Sequence, residues 1–172
     1  MVNIYLVGFM GAGKTSVGKR LATRLGARFF DLDERISRDF GCPISEVFQK
    51  RGEPDFRAVE TDVLRELCAR NGLVVATGGG AFSSDGNRKM IEQSGGISVY
   101  LDVPWEVLRR RLERDNTDRP VYRDAEQART LFEERLPMYR RATISVSLTG
   151  DETPDEAAQS TARAVRGAPC AI

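Results

Sequence analysis

One octapeptide near the amino end, Gly8-Phe9-Met10-Gly11-Ala12-Gly13-Lys14-Thr15, fits the pattern G-x-x-x-x-G-K-[ST]. A polyphosphate carries dense negative charge. Successive backbone N–H groups surround such a group only where few side chains intrude, and glycines permit that wrap. Gly11, Ala12 and Gly13 would supply the backbone, and the helix opening near Lys14 would add its positive end. Lys14 would reach the β- and γ-phosphates, and the Thr15 hydroxyl would ligate Mg²⁺. An apolar strand directly before the turn and a helix directly after it are the context such a cradle requires.

Two further clusters have the composition of a ligand site. Asp31-Leu32-Asp33 follows a second apolar run. Asp31 would hold the metal through water, and Asp33 would contact a substrate hydroxyl and accept its proton as the oxygen attacks phosphorus. The alternative for Asp33 is that it only caps the next helix. Thr77-Gly78-Gly79-Gly80 follows a third apolar run, where bare backbone would approach the substrate or the γ-phosphate, or else form only a tight turn. Arg57, Arg119 and Arg135 are the arginines of interest, although in a chain with so many arginines any one of them is usually a solvated surface charge.

The elements that would position these groups alternate between strand and helix. Strands are expected at 4–7, 28–31, 73–76, 97–101 and 144–146. Helices are expected at 14–25, 33–40, 44–50, 54–71, 85–94, from Pro104 onward, 125–141 and 154–165. Repeated strand-then-helix units imply a parallel sheet covered on both faces, and thus an α/β fold. In such folds ligands bind outside the carboxyl ends of the strands. Segment 114–124 is polar, charged and interrupted by Pro120, and reads as a mobile loop.

Composition narrows the function. The 172 residues suit one domain, with 41% hydrophobic and 30% charged residues. Net charge is +1, which argues against coating nucleic acid or an anionic membrane. With no His, histidine zinc sites, Ser-His-Asp triads and Cys-His dyads are all excluded. Cys42, Cys68 and Cys170 form no C-x-x-C pair, so a reducing compartment is expected. No stretch approaches the roughly 20 apolar residues of a membrane span, and the amino end has no basic region before its apolar run. No N-K-x-D segment is present, which weighs against a GTPase switch.

Taken together, the order of these segments resembles the shikimate kinases over nearly the whole chain. Beyond the phosphate loop, the matching segments are Asp31-Leu32-Asp33, Ile44-Ser45-Glu46-Val47-Phe48, Gly52-Glu53-Pro54-Asp55-Phe56-Arg57, Gly78-Gly79-Gly80, Arg119-Pro120 and Leu136-Pro137-Met138-Tyr139-Arg140. The resemblance implies a P-loop kinase fold of the nucleoside-monophosphate-kinase type, with five parallel strands and flanking helices. It implies one domain over 1–172, with a substrate-binding helical segment at about 33–61 and a mobile lid at about 112–124. The implied reaction moves the γ-phosphoryl group of ATP, with Mg²⁺, to the 3-hydroxyl of shikimate, a step toward chorismate and aromatic amino acids.

Carried over by residue, Asp33 binds substrate hydroxyls and acts as base, and Arg57 and Arg135 clamp the shikimate carboxylate. Gly78, Gly79 and Gly80 line the shikimate side, while Arg119 reaches from the lid to steady the phosphates. Lys14 stabilises the transferring group, and Thr15 and Asp31 serve the metal. Gly11 to Ser16 hold ATP, and an arginine at 110 or 111, here Arg111, stacks on adenine. The expected partners are ATP and shikimate, with no nucleic acid and no membrane, for a cytoplasmic monomer. A gluconate kinase or a nucleoside-monophosphate kinase is the competing reading. Val121-Tyr122 depart from the pair of leucines usual after Arg-Pro in the lid.

Overall fold

A computed structural model describes residues 1–114 and 124–168. Five strands form one parallel sheet: β1 (Ile4–Val7), β2 (Arg28–Asp31), β3 (Leu73–Ala76), β4 (Ile97–Asp102) and β5 (Ile144–Ser147), in the spatial order β2-β3-β1-β4-β5. β1 and β3 are apolar and buried along their whole length, as strands covered on both faces must be. The described helices are α1 (Lys14–Leu25), α2 (Leu32–Phe40), α3 (Ile44–Cys68), α4 (Asp85–Gln93), α5 (Trp105–Arg114), α6 (Ala125–Tyr139) and α7 (Pro154–Gly167).

Alternation along β1 decides which helices lie on which face. Leu6 packs against the α1 side, where a side chain at Gly18 would collide with Phe29 and Leu6. Tyr5 points the other way and donates its hydroxyl to Cys68 Sγ at the end of α3, at 3.3 Å. α1 also packs on α7, and α3 packs on α2 and α4. The apolar faces of both layers meet the sheet in one core that includes Leu21, Leu64, Leu67, Val75 and Val99.

Register aligns the carboxyl ends of three strands. Leu6 and Asp31 both pair with Ala76, so the chain leaves β1, β2 and β3 at one edge. Thr77 fastens that edge by donating both its N–H and its hydroxyl to the Leu6 carbonyl, at 3.1 and 2.9 Å. The segments after Val7, Asp31 and Ala76 are therefore neighbours in space although far apart in sequence.

Two departures from the sequence expectations have local causes. The helices expected at 44–50 and 54–71 form one element that ends earlier, at Cys68, with a non-helical residue inside it: Gly52, φ 78° and ψ 167°. That backbone is open to glycine and costly for other residues. It lets Pro54 begin a fresh helical turn, where a missing N–H does least harm. In α5, Leu112 is buried in the last turn, so the segment expected as a lid from about 112 begins as helix. Residues 115–123, Arg119 among them, lie outside the described residues.

Candidate active site

The loop after β1 is built to meet an anion. Gly13 caps α1 in the left-handed region at φ 89°, which turns the backbone without a side chain in the way. No described side chain caps α1 and its first turn holds no acidic residue, so its leading N–H groups face the loop. Lys14 curls over the loop and donates from Nζ to the carbonyls of Gly8 and Phe9, at 2.8 and 2.9 Å. Arg111 clasps the same loop from α5, donating to the carbonyls of Gly11 at 3.0 Å and Gly150 at 3.2 Å. Arg110 instead donates back to Glu106 of its own helix, so the structure distinguishes the two candidate arginines.

Beside this loop, Thr15 donates its hydroxyl to Asp31 Oδ2 at 2.6 Å. The other Asp31 oxygen accepts the N–H groups of Asp33 and Glu34, at 3.1 and 3.2 Å. Asp31 is therefore the residue that caps α2. The helix-cap alternative for Asp33 is thus corrected: its carboxylate faces Gly78 instead, with Oδ1 2.7 Å from where a Gly78 Cβ would sit. The Thr15–Asp31 pair offers hard oxygen donors. Among the described residues no three acidic or thiol groups gather as a metal cage. Mg²⁺ suits this donor set, because it keeps several waters and takes one or two protein oxygens beside phosphate.

The three glycines after β3 stand where other groups crowd in. Glu60 Oε1, like Asp33 Oδ1, would be 2.7 Å from a Cβ at Gly78. A Cβ at Gly80 would strike the Arg57 guanidinium, and one at Gly79 would lie 3.7 Å from Arg135 Nη1. Tyr139 donates its hydroxyl to the Gly79 carbonyl and stacks on Tyr100, with ring centroids 5.4 Å apart. Burial pushes the Tyr139 phenol up to about 12, against the pull of Arg135, so it remains a donor at neutral pH.

Arg57 is held on several sides. Its Nη1 donates to Glu60 Oε2 at 2.7 Å, and its Nε and Nη2 both donate to Glu53 Oε1, at 3.3 and 3.2 Å. The guanidinium also lies over the rings of Phe48 and Phe56, 5.8 and 5.1 Å from their centroids. Glu60 is 1% exposed. Burial raises its carboxyl above the ordinary range, Arg57 pulls it down, and Asp33 adds to the rise.

A cavity of about 700 Å³ joins these parts. Its lining includes Gly11, Gly13, Lys14, Thr15 and Ser16 of the loop together with Asp33, Arg57, Gly78, Gly79, Gly80 and Arg135, and Asp31 and Arg111 are also on the wall. Ala12, expected to hold ATP, is buried behind this lining. Phe48, Phe56, Thr77 and Glu60 also line the cavity. Glu60 was within reach of a sequence argument, since it sits three residues after Arg57 on one helix face. Its burial was not.

A family model described as shikimate kinase matches residues 10–166. A shikimate kinase of Nostoc punctiforme is 42% identical over 160 residues, covering 91% of this chain and 87% of the relative. The solved structure of a shikimate kinase from Acinetobacter baumannii in complex with shikimate superposes with a TM-score of 0.87 at 43% identity, covering 94% of this chain and 90% of that one. A gluconokinase from Sinorhizobium meliloti shares the fold at a TM-score of 0.63, with 19% identity over 97% of this chain and 93% of its own. With its phosphate loop, paired arginines and triglycine turn around one hollow, and with relatives of this similarity along most of its length, the chain belongs to the shikimate kinase family.

Proposed function

We propose that this chain transfers the γ-phosphoryl group of ATP to the 3-hydroxyl of shikimate. The observation that carries the reading is that one hollow is lined both by the anion-binding loop and by Arg57, Arg135 and Asp33. Shikimate is a small carboxylic acid with a ring of hydroxyls, and two guanidinium forks with one carboxylate are suitable complements to it.

In this reading the nest of Gly11 to Ser16 holds the phosphates, with Ala12 serving through its backbone, and Lys14 turns from its loop carbonyls toward the β- and γ-phosphates. Arg111 lies beside adenine. Arg57 and Arg135 take the ring carboxylate, and Gly78, Gly79 and Gly80 give the ring its floor. Asp33 orients the 3-hydroxyl. As that oxygen bonds to the γ-phosphorus, the bond from phosphorus to the β–γ bridging oxygen breaks, the hydroxyl proton passes to Asp33, and ADP departs. Thr15 and Asp31 would hold Mg²⁺, which supplies charge neutralisation on the phosphates. Positioning and charge compensation account for most of the catalysis, which is why a site without histidine suffices.

We further assign the chain one kinase domain over 1–172, a substrate segment at about 33–61, and a lid at about 112–124 from which Arg119 would steady the phosphates and shield them from water. It works as a cytoplasmic monomer that needs neither nucleic acid nor membrane; among the described residues no helix is long and apolar enough to cross one. An ADP-release assay with shikimate, gluconate and AMP as acceptors tests the reading. Turnover is expected with shikimate alone, and turnover with gluconate or AMP but not shikimate would overturn it.

A further inference from the structure

We propose that Glu60 takes up a proton from solvent when the carboxylate of shikimate docks on Arg57, so that substrate binding and protonation of this buried acid are coupled. The inference rests on the shikimate reading above.

Before ligand arrives, Arg57 is already shared by two carboxylates of its own helix, Glu53 and Glu60. They differ in freedom. The Glu53 side chain is 62% exposed and can turn to water, whereas that of Glu60 is 1% exposed and cannot. A docked acid therefore brings a further negative charge to a guanidinium that Glu60 cannot release, and it displaces the water that screens them. The other groups facing Glu60 are Asp33 on α2, and Arg135 and Tyr139 on α6, with the uncharged Gly78 backbone between. Arg135 meets the same incoming carboxylate, and Asp33 adds like charge. The tension is relieved at one atom. Glu60 Oε2 accepts from Arg57, but Oε1 is buried with no hydrogen-bond partner among the described residues. An O–H bond formed at Oε1, with the proton given up by a buffer acid, neutralises Glu60 and leaves Oε2 holding the Arg57 fork in place. Glu60 is thus a positioning residue, acting on substrate through Arg57.

Calorimetric titration of the whole chain with shikimate, in two buffers of unequal ionisation enthalpy between about pH 6 and about pH 8.5, tests this. The expected result is a binding heat that differs between buffers by up to about one proton taken up per shikimate. Glu60→Gln should bind without that uptake, and Glu53→Gln should retain it. Heats independent of buffer across the range, or uptake that persists in Glu60→Gln, would overturn the proposal. Absence of both binding and turnover with shikimate would instead defeat the substrate reading. If Glu60→Gln does not fold, an infrared difference spectrum of the unaltered protein with carboxyl-labelled shikimate decides. A protonated-carboxyl band gained on binding supports the coupling, and its absence overturns it.

Discussion

At the scale of single residues, the site divides its labour between charge and bare backbone. Lys14 lies over the phosphate loop, and in the proposed reaction it turns to the transferring group, so Lys14→Ala should lower kcat by about 10²–10³-fold in an ADP-release assay. Arg57→Ala removes a charge-assisted contact worth roughly 1.5–3 kcal/mol, which predicts a KM for shikimate raised about 10- to 100-fold with the KM for ATP little altered. Equal change in both constants would place Arg57 elsewhere in the mechanism. Because Asp31 rather than Asp33 caps α2, Asp33→Asn should abolish turnover while circular dichroism, melting temperature and ATP affinity stay near those of the parent. A large fall in helicity would restore the capping role to Asp33.

At the scale of elements, caps and turns decide where helices start and how firmly the rim is held. The loop before α7 shows the balance. Slight burial pushes the Glu152 carboxyl up, but N–H donors of Thr149, Glu152 and Gly150 and the Thr149 hydroxyl overrule it and hold the group at about 2. Gly150 is also the residue whose carbonyl receives Arg111, so this turn links α7 to the wall of the phosphate cavity. A carboxyl held below its ordinary value near 4.5 stabilises the fold above that value, and the contribution is lost as pH falls through about 2. The melting-temperature advantage of the parent over Glu152→Gln should therefore be present at about pH 6 and shrink toward about pH 2.5. An advantage that does not change with pH would contradict this. The capping box of Thr153 and Glu156 is next to it, and Thr153→Ala should cost about 1 kcal/mol, or about 2–4 °C in melting temperature.

At the scale of the whole molecule, the cavity gathers parts that the chain keeps apart. Its lining comes from the β1–α1 loop, from α2, α3, α5 and α6, and from the turn after β3. Shikimate at about a hundred times its Kd should thus stabilise the fold by about 2.7 kcal/mol and raise the melting temperature by about 5–10 °C. A scanning-fluorimetry trace unmoved by saturating shikimate would contradict a site shared among so many elements.

What lies next to itself in sequence was legible there. The phosphate loop is one contiguous octapeptide after an apolar run. β2 and β3 begin and end as their runs predict, and the triglycine turn follows directly on β3. These are local facts of backbone freedom and hydrophobic period, and eight consecutive residues suffice to state them. Tertiary structure decided what depends on packing between distant segments. It chose Asp31 over Asp33 as the cap, aimed Arg111 rather than Arg110 at the loop, fastened Tyr139 to Gly79, and buried Glu60 against Arg57 and Gly78. Each of those outcomes depends on sheet register and on which helix face meets the core, and both are settled by the folded molecule as a whole rather than by neighbouring residues.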